Sequence, residues 1–189
     1  MRYLSIEQVT SILRCAWKES TRDHLMLLLA FNHGLRRVEI AELRVQDVSD
    51  GLIRVARAKG SLATVQPAMS SQNVLFDEIK ALSSWLAARD AKTDALFPSR
   101  KGGGCMTPDS VGRVASYYME MAGIPKELAH IHALKHACCS LLARQGVKIE
   151  YIAQHVGHKD IKNTRTYLNI TDDEATAKAQ QAFQSLTQN

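Results

Sequence analysis

Residues 25–31 read LMLLLAF and are apolar on almost every side of a helix. A helix that is apolar all round is normally buried, so we place this one at the centre of the core. It is expected to begin at Thr21 or Asp23 and to end at Gly34, where glycine favours a left-handed cap. Every other element must pack around this helix, and 189 residues are enough for one good-sized core.

Most of the remaining chain shows the 3.6-residue apolar period and the capping residues that are typical of amphipathic helices. Between residues 45 and 67 the period changes, because LIRVARAKGSLATVQPA alternates on either side of Lys59-Gly60-Ser61. This alternation predicts two antiparallel strands joined by a tight turn. The predicted fold class is therefore mainly α with a small antiparallel β-sheet (α+β). Helix starts are predicted at Ser5, Val38, Ser70 or Ser71, Thr107, His132, Ile149, Asp160 and Thr171.

Charge and cysteine content narrow the class of protein. Lys and Arg together number 24 against 19 Asp and Glu, giving a net charge of +5. This excess fits a polyanionic partner, although many basic proteins bind no nucleic acid. The four cysteines have no paired spacing and are typical of buried, reduced thiols in a cytosolic protein. No apolar stretch has the length of a signal-peptide core at the start or of a membrane span elsewhere.

Two short strings in the last third of the chain carry groups that could act on a phosphodiester. HALKH, at residues 132–136, places His132 and Lys135 on one side of a helix. VGHKDIKNTRTY, at residues 156–167, places His158 ahead of Tyr167. A phenol can attack phosphorus, while cations and N–H donors can hold the negative charge that develops there.

A guanidinium group is expected from further upstream, and GLRRVEIAEL at residues 34–43 supplies one. Arg36 falls at the N-terminal edge of a predicted helix, where an anion is favoured. Glu39 follows one turn later and could hold the guanidinium in place. A zinc site at His132 and His136 is disfavoured, because metalloprotease helices need a glutamate directly after the first histidine and this chain has Ala133.

Taken in order, these features resemble the tyrosine recombinase (phage integrase) family: Arg36 with Glu39, Lys59 in AKG, HxxK-H at 132–136, Gly157-His158 and Tyr167. The likeness runs from residue 3 to about residue 169. The family usually has HxxR where this chain has Lys135, and LGH where it has Val156. The resemblance implies the catalytic-domain fold over residues 1–170 without the N-terminal domain that closes a DNA clamp.

This short architecture is similar to that of fimbrial phase-variation recombinases, and an excised catalytic domain is the alternative. Residues 171–189 are expected to form a C-terminal helix. It either docks on a neighbouring subunit or packs within its own domain.

The resemblance implies a site-specific recombinase that breaks and rejoins DNA without a metal or nucleotide cofactor. Tyr167 would form a 3′-phosphotyrosyl link, with Lys59 as general acid and His132 helping to remove the phenol proton. Lys135 would make a point contact where arginine makes a planar fork. The implied catalytic residues are Arg36, Lys59, His132, Lys135, His158 and Tyr167, supported by Glu39 and His136. The alternatives are a non-catalytic DNA-binding accessory protein on the same scaffold and a topoisomerase-like relaxing enzyme.

The resemblance implies double-stranded DNA as the partner. It also implies a cytoplasmic location in association with the nucleoid. The helix over residues 107–123 is the candidate for the major groove, with Ser110 and Arg113 as base readers. The chain is expected to assemble as a tetrameric synapse on DNA, to be monomeric or weakly associated without it, and to involve DNA-bending host factors but no membrane. Cations that would contact phosphates, or simply be solvated, are Arg37, Arg57, Arg100, Lys101, Lys159, Lys162 and Arg165.

Overall fold

A computed structural model describes residues 3–58, 60–89, 92–99 and 104–167, together with Gln180 and Gln184. Lys59, Arg100, Lys101 and the helix predicted after Thr171 lie outside the described residues. The predicted fold class is confirmed, since the described residues are mainly helical and include a two-stranded antiparallel sheet. The helices and strands are α1 (Ile6–Glu19), α2 (Thr21–Asn32), α3 (Arg37–Glu42), β1 (Leu52–Val55), β2 (Thr64–Pro67), α4 (Glu78–Ala88), α5 (Pro108–Met121), α6 (His132–Arg144), α7 (Ile149–His155) and α8 (Lys162–Arg165).

Helix α2 lies at the centre of the core, as predicted. Its residues from Leu25 to Ala30 are completely buried, and it packs against α1, α4 and α6. The side chain of Ser20 caps its start by accepting a hydrogen bond from the backbone N–H of Asp23. Gly34 ends the helix with φ +57°, a left-handed conformation that glycine adopts without strain. The chain therefore leaves the core centre at Gly34 and reaches Arg36 two residues later.

The sheet has the predicted strands but not the predicted tight turn. Leu52 pairs with Pro67 and Val55 with Thr64, so residues 56–63 form a wide connection. This connection reaches away from the sheet because Ser61 forms an isolated antiparallel bridge with His158. The backbone N–H of Leu62 also donates to the carbonyl of Gly157. The loop is thus attached to the end of α7.

The predicted start of the long helix at Ser70 or Ser71 is also corrected. Asn73 first caps a short 3₁₀ helix, Val74–Phe76, by accepting from the N–H of Leu75. Asp77 then caps α4 by accepting from the N–H of Lys80. The later caps therefore set the start of α4.

Apart from the one after Thr171, the remaining predicted helices are present with small changes in length. Thr107 caps α5, and Ser5 and Gln8 form the predicted capping box ahead of α1. Other 3₁₀ helices cover Val45–Val48 and Lys126–Leu128. Among the described residues, no helix combines the length and the apolar character needed to cross a membrane.

Candidate active site

Arg36 lies at the N-terminus of α3, and Glu39 fixes it there as predicted. Its Nη1 donates to Glu39 Oε1 and to Ser61 Oγ, both at 2.8 Å. The backbone N–H of Arg36 donates to Glu39 Oε2, also at 2.8 Å. The Arg36 side chain is 27% exposed, whereas that of Glu39 is 1% exposed. The guanidinium is therefore held on its inner side and open to solvent on its outer side, where an anion can bind.

Glu39 is a buried carboxylate with several donors. Its Oε1 accepts from the N–H of Ala58 at 3.0 Å, and its Oε2 accepts from Arg57 Nη1 at 3.2 Å. Burial alone would raise the pKa of Glu39, but the N–H groups of Arg36 and Ala58 and the charge of Arg57 outweigh it and lower the pKa. Glu39 is therefore an anion at neutral pH. In this charged form it orients the Arg36 guanidinium.

Arg57 corrects the sequence expectation, because its side chain is completely buried and contacts no solvent. It lies in the wide connection between the strands, and its backbone has φ +51°. A guanidinium has five N–H donors, and all five are used within the protein. They reach Thr64 Oγ1 (3.1 Å), Glu39 Oε2 (3.2 Å) and the carbonyls of Gly34 (3.3 Å), His33 (2.9 Å) and His155 (3.0 Å). Arg57 is therefore neither a phosphate contact nor a solvated cation.

His158 follows the end of α7, after Gly157 turns the chain with φ +68°. Its ring is buried, and its Nδ1 lies 2.9 Å from Thr164 Oγ1. Burial, followed by the charges of Lys135, Arg36 and Arg57, lowers the pKa of His158 to about 4. The imidazole is therefore neutral at pH 7. When Nδ1 accepts from the Thr164 hydroxyl, Nε2 carries the hydrogen and can donate to a phosphate oxygen.

The two residues that the sequence placed on one side of α6 lie in different surroundings. His132 is exposed at the start of the helix, with its ring 6.5 Å from that of His130. Lys135 is only 5% exposed, and its Nζ donates to the carbonyls of Gly34 at 2.8 Å and Val156 at 3.1 Å. Burial, together with the charges of Arg36 and Arg57, lowers the pKa of Lys135 to about 8.

The hydroxyl of Tyr167 is bound to His136, one turn beyond His132. The phenol oxygen lies 2.5 Å from His136 Nδ1, and the Tyr167 ring belongs to the same buried cluster as Cys139. The ring of Tyr3 packs on that of Tyr167 with centroids 5.6 Å apart, and the Tyr3 hydroxyl donates to the carbonyl of Thr166. Burial and the neighbouring Cys139 raise the pKa of Tyr167. In this state the phenol is neutral and its partners are separate from those of Arg36.

Helix α5 and the start of α6 border an open groove of about 780 Å³. Arg113 lies on its edge and donates to Ser110 Oγ at 2.8 Å, so the two predicted base readers are paired with each other. Arg37 also borders the groove, 3.0 Å from Asp109 in an exposed ion pair. The predicted phosphate contacts Lys159, Lys162 and Arg165 are exposed on the α8 side.

Sequence reasoning missed the neutral partners of the site. Ser61 binds Arg36, and Thr164 binds His158. Cys139 and Tyr3 surround Tyr167. No spacing rule points to Ser61, Cys139 or Tyr3, since each meets its partner only when distant segments fold together. Thr164 lies only six residues after His158.

Comparison with known proteins gives one consistent family. The sequence profile of the phage integrase family matches residues 2–174. The chain is 30% identical to the type 1 fimbriae regulatory protein FimE of Escherichia coli (strain K12), over 88% of this chain and 84% of FimE.

Two solved structures have the same fold. One is the XerH site-specific recombinase bound to its difH substrate before cleavage, with a TM-score of 0.76 and 21% identity over 94% of this chain and 53% of XerH. The other is a lambda integrase tetramer bound to a Holliday junction, with a TM-score of 0.69 and 16% identity over 88% of this chain and 48% of the integrase. The chain thus spans about half the length of these two proteins.

Proposed function

The chain belongs to the phage integrase family and is a tyrosine recombinase, and we propose that it cleaves and rejoins DNA at a specific site through a 3′-phosphotyrosyl intermediate on Tyr167. One observation carries this proposal. The Arg36 guanidinium is fixed by the buried Glu39, is open on its outer side, and is linked to His158 through Ser61, which binds Arg36 and forms a backbone bridge with His158. This arrangement suits a non-bridging phosphate oxygen.

In the proposed reaction, the oxygen of Tyr167 forms a bond to phosphorus as the bond to the 5′-oxygen breaks. Lys59 protonates the departing 5′-oxygen, which leaves as a hydroxyl group. Arg36 donates two hydrogen bonds to the phosphate, and His158 donates a third from Nε2. Attack by the 5′-hydroxyl of another strand reverses these steps and releases Tyr167. The reaction therefore conserves the phosphodiester energy and needs no nucleotide.

We propose that Tyr167 leaves its present position before it attacks. Its hydroxyl is bound by His136, whereas the Arg36 guanidinium is bound by Glu39 and Ser61. We propose that DNA binding moves the α8 segment so that the phenol reaches the phosphate. His136 holds the hydroxyl in the free protein, and His132 accepts its proton at the phosphate.

The proposed partners are double-stranded DNA and further copies of this chain. The XerH and lambda integrase complexes contain DNA, and the latter is a tetramer, which supports a tetramer here as well. The groove beside α5 faces the same side as His132, and its Arg37 and Arg113 supply positive charge for the DNA backbone and bases. We propose that residues 1–170 form the catalytic domain, that residues 171–189 dock on a neighbouring copy, and that the assembly acts at the nucleoid.

A covalent capture experiment tests the proposal without knowledge of the target sequence. A pool of nicked duplexes with a random central segment is incubated with the protein, denatured, and searched for DNA linked to protein. The nick lets a short 5′-hydroxyl strand diffuse away, so any cleaved complex accumulates. Wild type and Tyr151→Phe, which changes an exposed tyrosine on α7, are expected to form the adduct, and Tyr167→Phe is not.

Failure of the wild-type protein to form an adduct would favour a non-catalytic DNA-binding protein. An adduct that persists in Tyr167→Phe would assign the nucleophile elsewhere. Exchange of strands between two copies of the captured site then separates a recombinase from a relaxing enzyme.

A further inference from the structure

The C-terminal ends of α2 and α7 lie directly against each other. The backbone leaves α2 through Gly34 and α7 through Gly157, and both glycines have a left-handed conformation. The approach is close, since a Cβ added to Gly34 would lie 2.7 Å from Val156 Cγ1. Two facing C-termini bring together carbonyls without helical partners and two partial negative charges. Such an arrangement needs donors and positive charge from elsewhere in the chain.

Two buried cations, Lys135 and Arg57, supply the donors and the positive charge. Lys135 joins the two ends by donating to the carbonyl of Gly34 and to that of Val156. Arg57 joins them a second time, through the carbonyls of His33, Gly34 and His155. We call these four carbonyl-bearing residues, with Lys135 and Arg57, the carbonyl clamp.

The carbonyl clamp sits immediately before the groups that would bind phosphate. Arg36 comes two residues after Gly34, and His158 comes two residues after Val156. The positions of both side chains thus depend on how the two helix ends meet. A small shift between the ends would separate the guanidinium from the imidazole, and a misplacement of about 1 Å can cost roughly a hundredfold in rate.

We propose that Lys135 is a positioning residue, which fixes Arg36 and His158 relative to each other through the carbonyl clamp and does not bind the scissile phosphate. This inference rests on the proposed function and assigns a different role to the residue at the HxxR position. Two of the three N–H donors of Lys135 are already engaged by buried carbonyls. A phosphate could take those two donors only by leaving the carbonyls without partners, which is costly. Lys135 is only 5% exposed, which leaves its third donor little access to a ligand.

The test measures single-turnover cleavage of the captured site at saturating protein, with either a normal phosphodiester or a methylphosphonate at the scissile position. The methylphosphonate lacks one negative charge, so a variant that has lost a phosphate-binding cation recovers part of its rate relative to wild type. Arg36→Ala is the reference for a lost phosphate contact. Arg57→Lys is the reference for a weakened clamp, because Arg57 is completely buried and touches no substrate.

Lys135→Met is expected to lower the rate about 100-fold, which corresponds to about 2.7 kcal/mol in the barrier. The loss should be the same on both substrates, as for Arg57→Lys, and DNA affinity should stay within about threefold of wild type. Lys135→Gln keeps an amide with two N–H donors and removes the charge. It should restore the rate to within about tenfold of wild type, and it carries the test if Lys135→Met does not fold.

Selective recovery of Lys135→Met on the methylphosphonate, matching Arg36→Ala, would overturn the inference. So would selective recovery of Lys135→Gln on the methylphosphonate, since that recovery marks a lost phosphate contact. A normal rate for folded Lys135→Met would show that the residue contributes only to stability, and this too contradicts a positioning role. These results presuppose wild-type cleavage, whose absence would count against the proposed function instead.

Discussion

Replacing Arg57 by methionine should destabilise the fold far more than replacing Arg54, an arginine of the adjoining strand β1 whose side chain is 35% exposed. Methionine fills a similar length of buried space but has no N–H donor. Glu39 would still form its ion pair with Arg36 but would lose its ion pair with the fully buried Arg57. The carbonyl of His33 would lose its guanidinium donor, whereas the carbonyls of Gly34 and His155 would keep Lys135 and Gln66 as donors.

The expected cost follows from breaking a buried ion pair by removing one partner, which is about 3–5 kcal/mol. Relief of the burial of Arg57, which lowers its pKa, offsets part of this cost, so we expect a value near about 3 kcal/mol within that range. Arg54→Met is the matched control. Arg54 is three residues earlier, lies 3.5 Å from an Asp50 side chain that is 78% exposed, and should cost less than about 1 kcal/mol.

Urea unfolding followed by circular dichroism measures both variants, with equal slopes confirming that the same surface is exposed on unfolding. If Arg57→Met and Arg54→Met differ by less than about 1 kcal/mol, the buried guanidinium is not the centre of a stabilising network. A whole domain is stable by only about 5–15 kcal/mol. Arg57→Lys, which retains the charge and should lose less, therefore provides a second point if the methionine variant does not fold.

Two further predictions concern the end of α7. Urea unfolding should show that Gly157→Ala destabilises the protein clearly more than Gly146→Ala does. Both glycines have positive φ. A Cβ added at 157 would lie 2.6 Å from the carbonyl oxygen of Leu62, whereas one added at 146 would meet nothing within 4 Å. Equal losses, each about 1 kcal/mol, would mean that the backbone shifts freely there. The pKa of His158 is about 4 in the folded protein, and 6.5 is its ordinary value. Between these pH values the folded state binds fewer protons than the unfolded state. Stability should therefore fall as pH falls through this window. His158→Gln should show a shallower fall from pH 7 to pH 4.5, and an unchanged slope would contradict the assigned burial.

The sequence predicted those parts of the site that depend on local chemistry. The Arg36–Glu39 pair is one turn of helix apart, so spacing alone places both side chains on one face. Gly34 as the end of α2 follows from glycine's freedom in the left-handed region. The capping box at Ser5 is likewise a local signal, readable within four residues.

Long-range partners could not be predicted in the same way. Lys135 was expected to face a phosphate because it lies three residues after His132, yet its carbonyl partners are Gly34 and Val156. Periodicity states which face of α6 a residue occupies but not which segment packs there. The same limit applies to Arg57, which was predicted to contact a phosphate or to be solvated, although its five donors are all used within the protein. The tight hairpin turn was wrong for the same reason, since Ser61 pairs with His158.

The charges around the site explain why buried cations are needed there at all. The ends of α2 and α7 each carry roughly half a negative charge, about one in total, and Glu39 adds another. Arg57 and Lys135 together bring two positive charges, which offset these two negative ones. Because His158 is neutral, the charge of Arg36 is then left for the substrate, and a phosphodiester carries one negative charge. If Lys135 and Arg57 instead served the phosphate directly, the facing helix ends and Glu39 would be left without compensation in a buried environment, where unpaired charge is most costly.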